Sequence, residues 1–312
     1  MRGVLVTGAA GFAGSHLVDL LVASGDEVVG WSHRGGRAPA SGNGARWDAV
    51  DLLDADEVDR AIGALRPAVI YHCAGRAAAG GAWAQVGQTF AVNVRGTLNL
   101  LAAVERHAAD ARVVVTSSAL VYRRSDPPID ETTPLGPEGP YAVSKFAQDR
   151  LAASFAGRVQ VVVARPFNHI GPRQTADFLA SAVAQQVAEI ERGLRAPEVR
   201  VGNLSAKRDF TDVRDVVAAY RQLAASGSAG QIQIFNVCSG RAVAAQTLVD
   251  GLVARARVPL AVVTDPARFR PVDVPVVVGS AARLNGLTGW KPEIDLQQTL
   301  DDLLDWWRDR SA

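Results

Sequence analysis

The sequence predicts an α/β fold in which a doubly wound parallel sheet is followed by a smaller C-terminal α/β domain. Continuous apolar runs of strand length recur in the first half of the chain, and stretches with helical periodicity separate them. Such runs are typical of strands covered on both faces, and their alternation with helices indicates a parallel sheet. The predicted strands are residues 4–6, 28–31, 68–72, 113–116 and 159–164.

The regular alternation of predicted strands and helices ends after residue 165, where a loop containing Pro and Gly begins. No linker rich in Gly and Ser separates the two halves, so we expect the smaller domain to pack tightly on the first. The last predicted helix has leucines at helical spacing, and we assign this apolar stripe to a core. The later predicted elements are helices near 177–193 and 212–226, a strand at 232–237 and a helix at 296–310.

The composition is that of a folded and nearly neutral protein. The 312 residues include 33 basic and 32 acidic side chains, and 48% of all residues are hydrophobic. This balance excludes a disordered chain and a general binder of nucleic acid. Cys73 and Cys238 are the only cysteines and lack the spacing of a zinc site or a disulfide framework, so no metal is expected. No apolar run approaches the roughly 20 residues of a membrane span and no leader is apparent, so we expect a cytoplasmic protein without membrane contact.

A glycine-rich turn follows the first predicted strand. The segment VLVTGAAGFAG places Gly8, Gly11 and Gly14 between that strand and a helix predicted to begin near Ser15. Glycine at these positions permits a tight turn, close approach of the backbone to a pyrophosphate, and close packing of the helix on the strand. The helix N-terminus offers unpaired N–H groups to the anion. The turn therefore predicts a Rossmann dinucleotide site, which also includes Phe12 and Ala13.

The end of the second predicted strand favours NADP(H), with NAD(H) as the alternative. An NAD-selective fold places an acidic residue there for the ribose diol, whereas this chain has WSHRGGR. Ser32 and Arg34 are suited to bind a 2′-phosphate, and Arg37 is better explained as a solvated cation. Asp51 and Leu52 follow the next short strand and are candidate neighbours of the adenine, although Asp51 is equally suited to cap the following helix.

Two segments carry the residue types of a proton-transfer site. Tyr141 and Lys145 lie four apart in PYAVSK, which on a helix places both on one face. A tyrosine has a pKa of roughly 10, and we expect the neighbouring ammonium to lower it so that the phenol exchanges protons near neutrality. Ser118 lies at the carboxyl end of a predicted strand, where ligands bind in such sheets, and is placed to hydrogen-bond the same substrate oxygen.

These motifs together resemble the extended short-chain dehydrogenase/reductase family, in its nucleotide-sugar branch. TGAAGFAG, HCAG, NVRGTLNLL, SSALVY, YAVSK and RPFNHIGPRQ occur in the family's order, so the resemblance covers essentially the whole chain. The second half, with VGNLSAKRDFTDVRDVV, FNVCSG and TGWKP, is more closely similar to the reductases of GDP-4-keto-6-deoxy-D-mannose. The resemblance implies an NADPH-dependent oxidoreductase that converts a nucleotide-linked 4-keto-6-deoxyhexose to a 6-deoxyhexose.

The resemblance also implies roles for individual residues. Tyr141 would protonate the carbonyl oxygen, Lys145 would also hold the cofactor ribose, and Ser118 would orient the ketone. Residues 1–167 with about 230–250 are then the NADP-binding domain, and residues 168–229 with 251–312 are the sugar-nucleotide domain. The further implied cofactor contacts are Cys73, Ala74, Gly75, Asn93, Pro166 and Phe167.

Candidate ligands for the substrate lie in the second half of the chain. Asn168 and Arg208 carry an amide and a guanidinium suited to diphosphate oxygens, and Arg270 is a third candidate. Asn168 is also suited to fix its own loop, and Arg208 to pair with an aspartate at position 209, 212 or 215. Val201 is a candidate for the base pocket, although an apolar residue there equally fits a core.

Other reactions of the family are weighed against the same residues. Its 4,6-dehydratases carry an acidic pair directly after the catalytic Ser or Thr, where this chain has Ala119 and Leu120, so dehydration is not expected. A nucleotide-sugar 4-epimerase and a non-enzymatic dinucleotide sensor stay as alternatives. The resemblance implies a homodimer formed through helices near 88–107 and 141–156. The sequence leaves open whether the nucleotide is GDP or dTDP and which stereoisomer forms.

Overall fold

A computed structural model describes residues 3–33, 44–77, 85–126, 128–226, 232–268 and 274–310. Its described part contains a seven-stranded sheet in which every neighbouring pair is parallel. The strand order reverses direction between β1 (Val4–Thr7) and β4 (Val69–His72), which places a crevice at the carboxyl ends of these strands. Across the sheet the order is β10 (Gln233–Val237), β6 (Gln160–Pro166), β5 (Arg112–Thr116), β4 (Val69–His72), β1 (Val4–Thr7), β2 (Val28–Ser32) and β3 (Arg46–Ala49).

Helices cover both faces of the sheet because successive strand residues point to opposite sides. Leu5 and Val6, for example, belong to the two different cores. One face packs against α1 (Phe12–Ala23), α7 (Val213–Ser226) and α9 (Ala282–Thr288). The other packs against α2 (Ala55–Leu65), α4 (Gly96–His107) and α5 (Gly139–Ser154). The short α3 (Val86–Phe90) runs through a π-helical turn (Ala91–Arg95) into α4.

A third core belongs to the smaller part of the molecule. It lies between α6 (Leu179–Glu191), α8 (Ala245–Val253) and α10 (Leu296–Arg310), and Leu300, Leu303 and Leu304 are fully buried in it. The stripe predicted for residues 296–310 is therefore core, as expected. Two small sheets flank this region: β7 (Asn168–Ile170), β9 (Lys207–Asp212), β11 (Ala242–Ala244) and β13 (Val276–Val277) form one, and β8 (Glu198–Val201) with β12 (Ala261–Thr264) the other.

The structure confirms the doubly wound fold and differs from the sequence-based expectations in detail. Helix α1 begins at Phe12 instead of near Ser15, so Gly14 lies inside the helix. The strands of the two small sheets were not predicted individually, because strands of two to six residues leave little periodicity. Helix α7 packs on α1 and the large sheet, and α8 packs on α6 and α10. This packing favours moving α7 to the sheet domain and α8 to the smaller domain, and the division itself stays a proposal.

Among the described residues, no helix is both long and apolar enough to cross a membrane. The same residues contain no group of three or more His, Cys, Asp or Glu side chains placed to hold a metal ion.

The close contact between α1 and the glycine-rich turn generates a stability prediction. A Cβ on Gly14 would lie 2.2 Å from the carbonyl oxygen of Gly8, so the helix and the turn must separate to accept any side chain. We expect Gly14→Ala to lower the free energy of unfolding by about 1–3 kcal/mol, the usual cost of an overpacked contact. Urea denaturation followed by circular dichroism measures this change.

Gly286→Ala is the matched control, because the space around Gly286 in α9 is open. Alanine is a better helix former than glycine, so this variant should be unchanged or more stable by up to about 1 kcal/mol. Equal destabilisation by both substitutions would contradict the close-contact argument.

Candidate active site

A cavity of about 710 Å³ opens at the carboxyl edge of the large sheet, where β1, β4, β5 and β6 end. Parallel strands bring these ends to one edge, so residues distant in sequence meet there. The predicted site residues that line the cavity are Gly8, Gly11, Phe12, Ala13, Gly14, Cys73, Gly75, Ser118, Tyr141, Lys145, Pro166, Phe167, Asn168 and Arg208.

The glycine-rich turn has the shape of a phosphate cradle. Gly8 has a φ of +65°, and a Cβ at that position would lie 2.6 Å from the Cα of Ala74. Gly11 is the N-cap of α1 and supplies no side-chain hydrogen bond to the helix. The N–H groups of the first helical turn therefore remain available to an anion, with the favourable end of the helix dipole behind them. The residues present fit a dinucleotide pyrophosphate.

The ribose end of this cleft is described only in part. Ser32 is the last residue of β2, as predicted, and is half-buried, and an exposed histidine follows it at position 33. Arg34 and Arg37 lie outside the described residues. Asp51 accepts a hydrogen bond from the N–H of Leu53, whereas Asp54 caps α2. The cap alternative for Asp51 is therefore wrong, and its neighbour Leu52 packs within 3.3 Å of the Cβ position of Gly96.

Ser118 and Tyr141 meet in the cavity. Ser118 follows β5 and caps a 3₁₀ turn, accepting a hydrogen bond from the N–H of Leu120 at 3.2 Å. The Tyr141 phenol, which α5 presents from its first turn, lies close enough to this hydroxyl for Ser118 to lower the pKa of the phenol by hydrogen bonding. The hydroxyl and phenol predicted to act on one oxygen are thus adjacent.

Lys145 lies one turn further along α5 and is 5% exposed. Its ammonium donates hydrogen bonds to the carbonyl oxygen of Thr116 at 2.8 Å and to the amide oxygen of Gln148 at 2.9 Å. The ammonium also lies 3.2 Å from the position that a Cβ would take on Gly75. Gly75 therefore leaves room for a group to approach the remaining N–H of Lys145 from the cavity.

The structure contradicts the expected lowering of the Tyr141 pKa. Burial raises the pKa of this phenol to about 12, and the hydrogen bond to Ser118 offsets only part of that effect. Lys145 directs two of its N–H groups to Thr116 and Gln148 instead of the phenol, and burial lowers the pKa of its ammonium to about 8. Tyr141 therefore stays protonated at neutral pH, which is the form that a proton donor needs.

The predicted ligands of the substrate fall into three groups. Arg208 lines the cavity, and its guanidinium donates to the carbonyl oxygens of Lys207 and Val274, at 2.8 and 2.9 Å, and to no carboxylate among the described residues. Asn168 is exposed in the same cavity, with no side-chain partner in the described part of the chain. Arg270 lies outside the described residues.

Val201 does not face the cavity. It is 3% exposed, lies in the third core and pairs with Thr264 in the two-stranded sheet. The predicted contact with a substrate base is therefore replaced by the core alternative, because an apolar β-branched side chain on this strand is covered by α6.

Asn93 and Ala74, which are also predicted to bind the cofactor, do not line the cavity but hold the neighbouring loop in place. The fully buried Asn93 accepts a hydrogen bond from the N–H of Arg76 at 2.8 Å and donates to the hydroxyl of Ser144 at 2.9 Å. The N–H of Ala74 donates to the hydroxyl of Thr7 at 3.3 Å. These contacts hold the loop after β4 against β1 and α5.

Sequence reasoning missed a buried polar chain beneath Lys145. The amide nitrogen of Gln148 donates to the hydroxyl of Thr97 at 2.8 Å, and that hydroxyl donates to the carbonyl oxygen of Asn93 at 2.7 Å. His72 lies between the hydroxyls of Thr97 and Thr7, at 2.8 Å from each. The HCAG and NVRGT motifs contain His72 and Thr97, but only the tertiary structure shows that these side chains touch.

The hydrogen bonds determine the tautomer of His72. The single proton of the Thr97 hydroxyl goes to Asn93, so Nε2 of His72 must donate to Thr97. Its Nδ1 is then an acceptor and receives the proton of the Thr7 hydroxyl. Burial, together with the charge of Lys145, lowers the pKa of His72 to about 3 and keeps the ring neutral.

Comparisons with known proteins agree with this geometry. The sequence profile of the family described as GDP-mannose 4,6 dehydratase matches residues 5–303. The GDP-6-deoxy-D-mannose reductase of Pseudomonas aeruginosa is 37% identical, covering 98% of this chain and 97% of that protein. The UDP-glucose 4-epimerase of Mycolicibacterium smegmatis is 31% identical, covering 98% of this chain and 99% of that protein.

Solved structures give the same result. RMD from Pseudomonas aeruginosa, complexed with NADPH, has a TM-score of 0.84 at 35% identity and covers 99% of this chain and 100% of that one. The UDP-glucose 4-epimerase of Thermus thermophilus in complex with NAD has a TM-score of 0.83 at 28% identity, with 98% of both chains covered.

The fold, the cradle and the Ser, Tyr and Lys side chains define an NAD(P)-dependent oxidoreductase. The chain belongs to the GDP-mannose 4,6-dehydratase-like family of extended short-chain dehydrogenases/reductases, which confirms the resemblance drawn from its motifs.

The assigned tautomer of His72 is directly measurable. We expect ¹⁵N NMR of histidine-labelled protein to show a neutral Nε2–H ring for His72 from about pH 8 to about pH 5, because its pKa is lowered to about 3. The signal is assigned by its disappearance in His72→Asn. A ring that gains a proton in this range, or an Nδ1–H tautomer, would contradict the hydrogen-bond directions given above.

Proposed function

We propose that this enzyme uses NADPH to reduce the 4-keto group of GDP-linked 4-keto-6-deoxymannose to the 6-deoxy sugar nucleotide. The observation that carries the proposal is that Ser118, Tyr141 and Lys145, which come from two separate segments of the chain, line one cavity. The GDP nucleotide is chosen over dTDP because the relative with 37% identity is a GDP-6-deoxy-D-mannose reductase.

Reduction of a ketone needs one hydride and one proton. NADPH supplies the hydride to C4 when it is bound along the glycine-rich turn. Tyr141 donates its phenolic proton to the carbonyl oxygen, and its raised pKa ensures that the proton is present at neutral pH. Ser118 hydrogen-bonds the same oxygen and stabilises the charge that develops on it. The ammonium of Lys145, which donates to Thr116 and Gln148, would offer its third N–H to the cofactor ribose.

Two features support NADPH as the reductant. The described end of β2 carries Ser32 at the position where NAD-selective folds place an acid. Arg34, two residues on, is the proposed charge partner of that phosphate. The relative RMD from Pseudomonas aeruginosa was solved with NADPH.

The part of the cavity lined by Arg208 and Asn168 is suited to a sugar diphosphate. Burial lowers the pKa of the Arg208 guanidinium, and carbonyl oxygens alone surround it among the described residues, so an anion would relieve the cost of burying its charge. Asn168 provides an amide nearby in the same cavity. We propose that both bind the diphosphate of the substrate.

Elimination of water is not supported, although the family is described as dehydratases. Ala119 and Leu120 follow Ser118, and Leu120 is 51% exposed at the cavity. Among the described residues that line the cavity, Glu138 is the only carboxylate, and it forms an ion pair with Arg124 at the rim. The described lining of the cavity therefore lacks the acid and base that a 4,6-dehydratase needs.

A nucleotide-sugar 4-epimerase is the second candidate, because an epimerase is 31% identical over nearly the whole chain. The same Ser, Tyr and Lys side chains serve that reaction. The two functions differ in stoichiometry, since a reductase consumes one NADPH per product and an epimerase interconverts sugars with no net change of cofactor.

We further propose a cytoplasmic homodimer. Leu98 on α4 is 43% exposed and Val143 on α5 is 37% exposed, so these neighbouring helices present apolar side chains to solvent. Burial of such side chains against a second copy is favourable.

Tyr141→Phe tests the proton donor. We expect NADPH oxidation at 340 nm with the 4-keto sugar nucleotide to fall by roughly 100- to 10,000-fold, the contribution of a positioned acid. NADPH binding, measured by fluorescence titration, should stay near the wild-type value because the ring remains. Near-normal turnover in this variant would remove Tyr141 from the mechanism, and turnover without net NADPH loss would favour the epimerase.

The dimer is tested with Leu98→Glu combined with Val143→Glu. The wild type should elute in light scattering at twice the chain mass of 32.9 kDa, and the double variant at the monomer mass with unchanged secondary structure. A wild-type monomer, or a double variant that stays dimeric, would contradict this interface.

A further inference from the structure

The ammonium of Lys145 is held from below by side chains that do not line the cavity. Gln148 and Thr97 are fully buried, as is His72, and each is hydrogen-bonded to the next. Buried polar groups cost free energy unless they are paired, so a chain of such groups is retained only with every bond made.

Each hydrogen bond in this series of buried polar groups has only one possible donor and acceptor. An ammonium only donates, so the amide oxygen of Gln148 must face Lys145 and its nitrogen must face Thr97. The Thr97 hydroxyl receives bonds from Gln148 and His72 and gives its proton to the carbonyl oxygen of Asn93. Rotating any one of these groups would leave a buried partner unpaired.

The far end of the chain reaches the cofactor loop. His72 accepts from the hydroxyl of Thr7, which in turn accepts from the N–H of Ala74. Ala74 touches the glycine-rich turn, since its Cα lies 2.6 Å from the Cβ position of Gly8. The ammonium is therefore connected through a series of hydrogen bonds to Ala74, which packs against the glycine-rich turn.

We propose that Gln148, Thr97 and His72 are positioning residues, which bind two sides of the site together and leave one N–H of Lys145 directed at the cofactor ribose. Thr116 takes one N–H through its carbonyl oxygen and Gln148 takes a second, so the third faces the cavity beside Gly75. This role rests on the proposed function of Lys145 as the residue that holds the cofactor ribose.

The charged and titratable groups around the ammonium come from several elements. Asp149, which follows Gln148 on α5, favours its charge, and the Cys73 thiol after β4 stays neutral because burial raises its pKa to about 12. Arg165 on β6 pairs with Asp149 at 2.6 Å, which limits that influence. His72 faces it from β4 as a neutral ring, and the phenol of Tyr141 stays protonated over the range of interest. Gln148 is therefore the neutral group whose replacement changes the ammonium most directly.

Direct titration of Lys145 tests the proposal without relying on turnover. The chain has three lysines, Lys145, Lys207 and Lys291, so ¹³C-lysine NMR gives three signals, and Lys145→Met assigns the relevant one. The wild-type signal is expected to titrate near pH 8, since burial lowers the pKa of Lys145 to about 8.

Gln148→Leu and Gln148→Glu should move this titration in opposite directions. Leucine removes an acceptor of the ammonium, so the midpoint falls by about one pH unit, the tenfold effect of a lost charge-assisted hydrogen bond. Glutamate places a carboxylate on the ammonium, so the midpoint rises. Thr97→Val should lower it by less, and Thr97→Ser, which keeps the hydroxyl, should restore the wild-type value.

The same variants should change catalysis in a defined way. The reduction needs the charged ammonium, so the alkaline limb of kcat/KM for NADPH oxidation should shift with the NMR midpoint in each variant. NADPH binding should weaken severalfold in Gln148→Leu and Thr97→Val, because the N–H aimed at the ribose is no longer held.

Gln186→Leu and Thr299→Val are the controls. Gln186 is 4% exposed and bridges α6 to β8, and Thr299 is 1% exposed and hydrogen-bonded to Asp212, so both lose buried polar groups far from Lys145. They should lower the melting temperature without moving the Lys145 midpoint. Thermal denaturation of every variant shows whether it is folded.

Three results would overturn the proposal. These are a Lys145 midpoint that is the same in wild type, Gln148→Leu and Gln148→Glu, an equal shift in the two controls, or a Thr97→Ser variant as impaired as Thr97→Val. Failure of the proposed function has a different signature, because the NMR shifts would then occur as expected in an enzyme that does not oxidise NADPH with the 4-keto sugar nucleotide.

Discussion

The hydrogen bonds of one buried ammonium, that of Lys145, determine how α5 is held at the carboxyl edge of the large sheet. Lys145 is almost fully enclosed, and a charge in such a place is stable only with acceptors around it. The chain supplies the carbonyl oxygen of Thr116 at the end of β5 and the amide of Gln148 on the same helix. These bonds tie α5 to the sheet, so Tyr141, one turn earlier, is presented to Ser118. The Ser118–Tyr141 contact is thus a consequence of how Lys145 is held.

A second buried charged residue, Asp209, holds together the segments beside Arg208. Asp209 on β9 is fully buried and accepts hydrogen bonds from the N–H groups of Ser239, Gly240 and Gly279. It therefore joins the loop after β10 to the segment before α9. Asp209 is occupied by these backbone groups, and its neighbour Arg208 makes no ion pair with it. Arg208 lines the cavity, and its hydrogen-bond partners among the described residues are carbonyl oxygens. The proposed diphosphate site depends on this arrangement, in which Asp209 binds backbone N–H groups and Arg208 lines the cavity.

Much of the fold was predictable because its signals are local. Strands β1, β2, β4, β5 and β6 each contain a continuous run of mainly apolar residues, and Gly8, Gly11 and Gly14 follow the first one at the spacing of a phosphate-binding turn. Ser118 and Tyr141 were predictable for the same reason, since strand ends and helix spacing are properties of short segments. The pKa of Tyr141 was not, because burial depends on the whole cavity and outweighs the effect expected from one neighbouring cation.

The sequence by itself determined the doubly wound sheet, the glycine-rich turn and the positions of the side chains that we propose for proton transfer, because each arises from the order of residues within short segments. Only the tertiary structure decided that Val201 belongs to a core, that Arg208 is without a carboxylate partner among the described residues, and that His72 and Thr97 lie beneath Lys145. Those features join segments that are far apart in the chain. Burial and the direction of a hydrogen bond depend on contacts between distant segments, so no single segment encodes them.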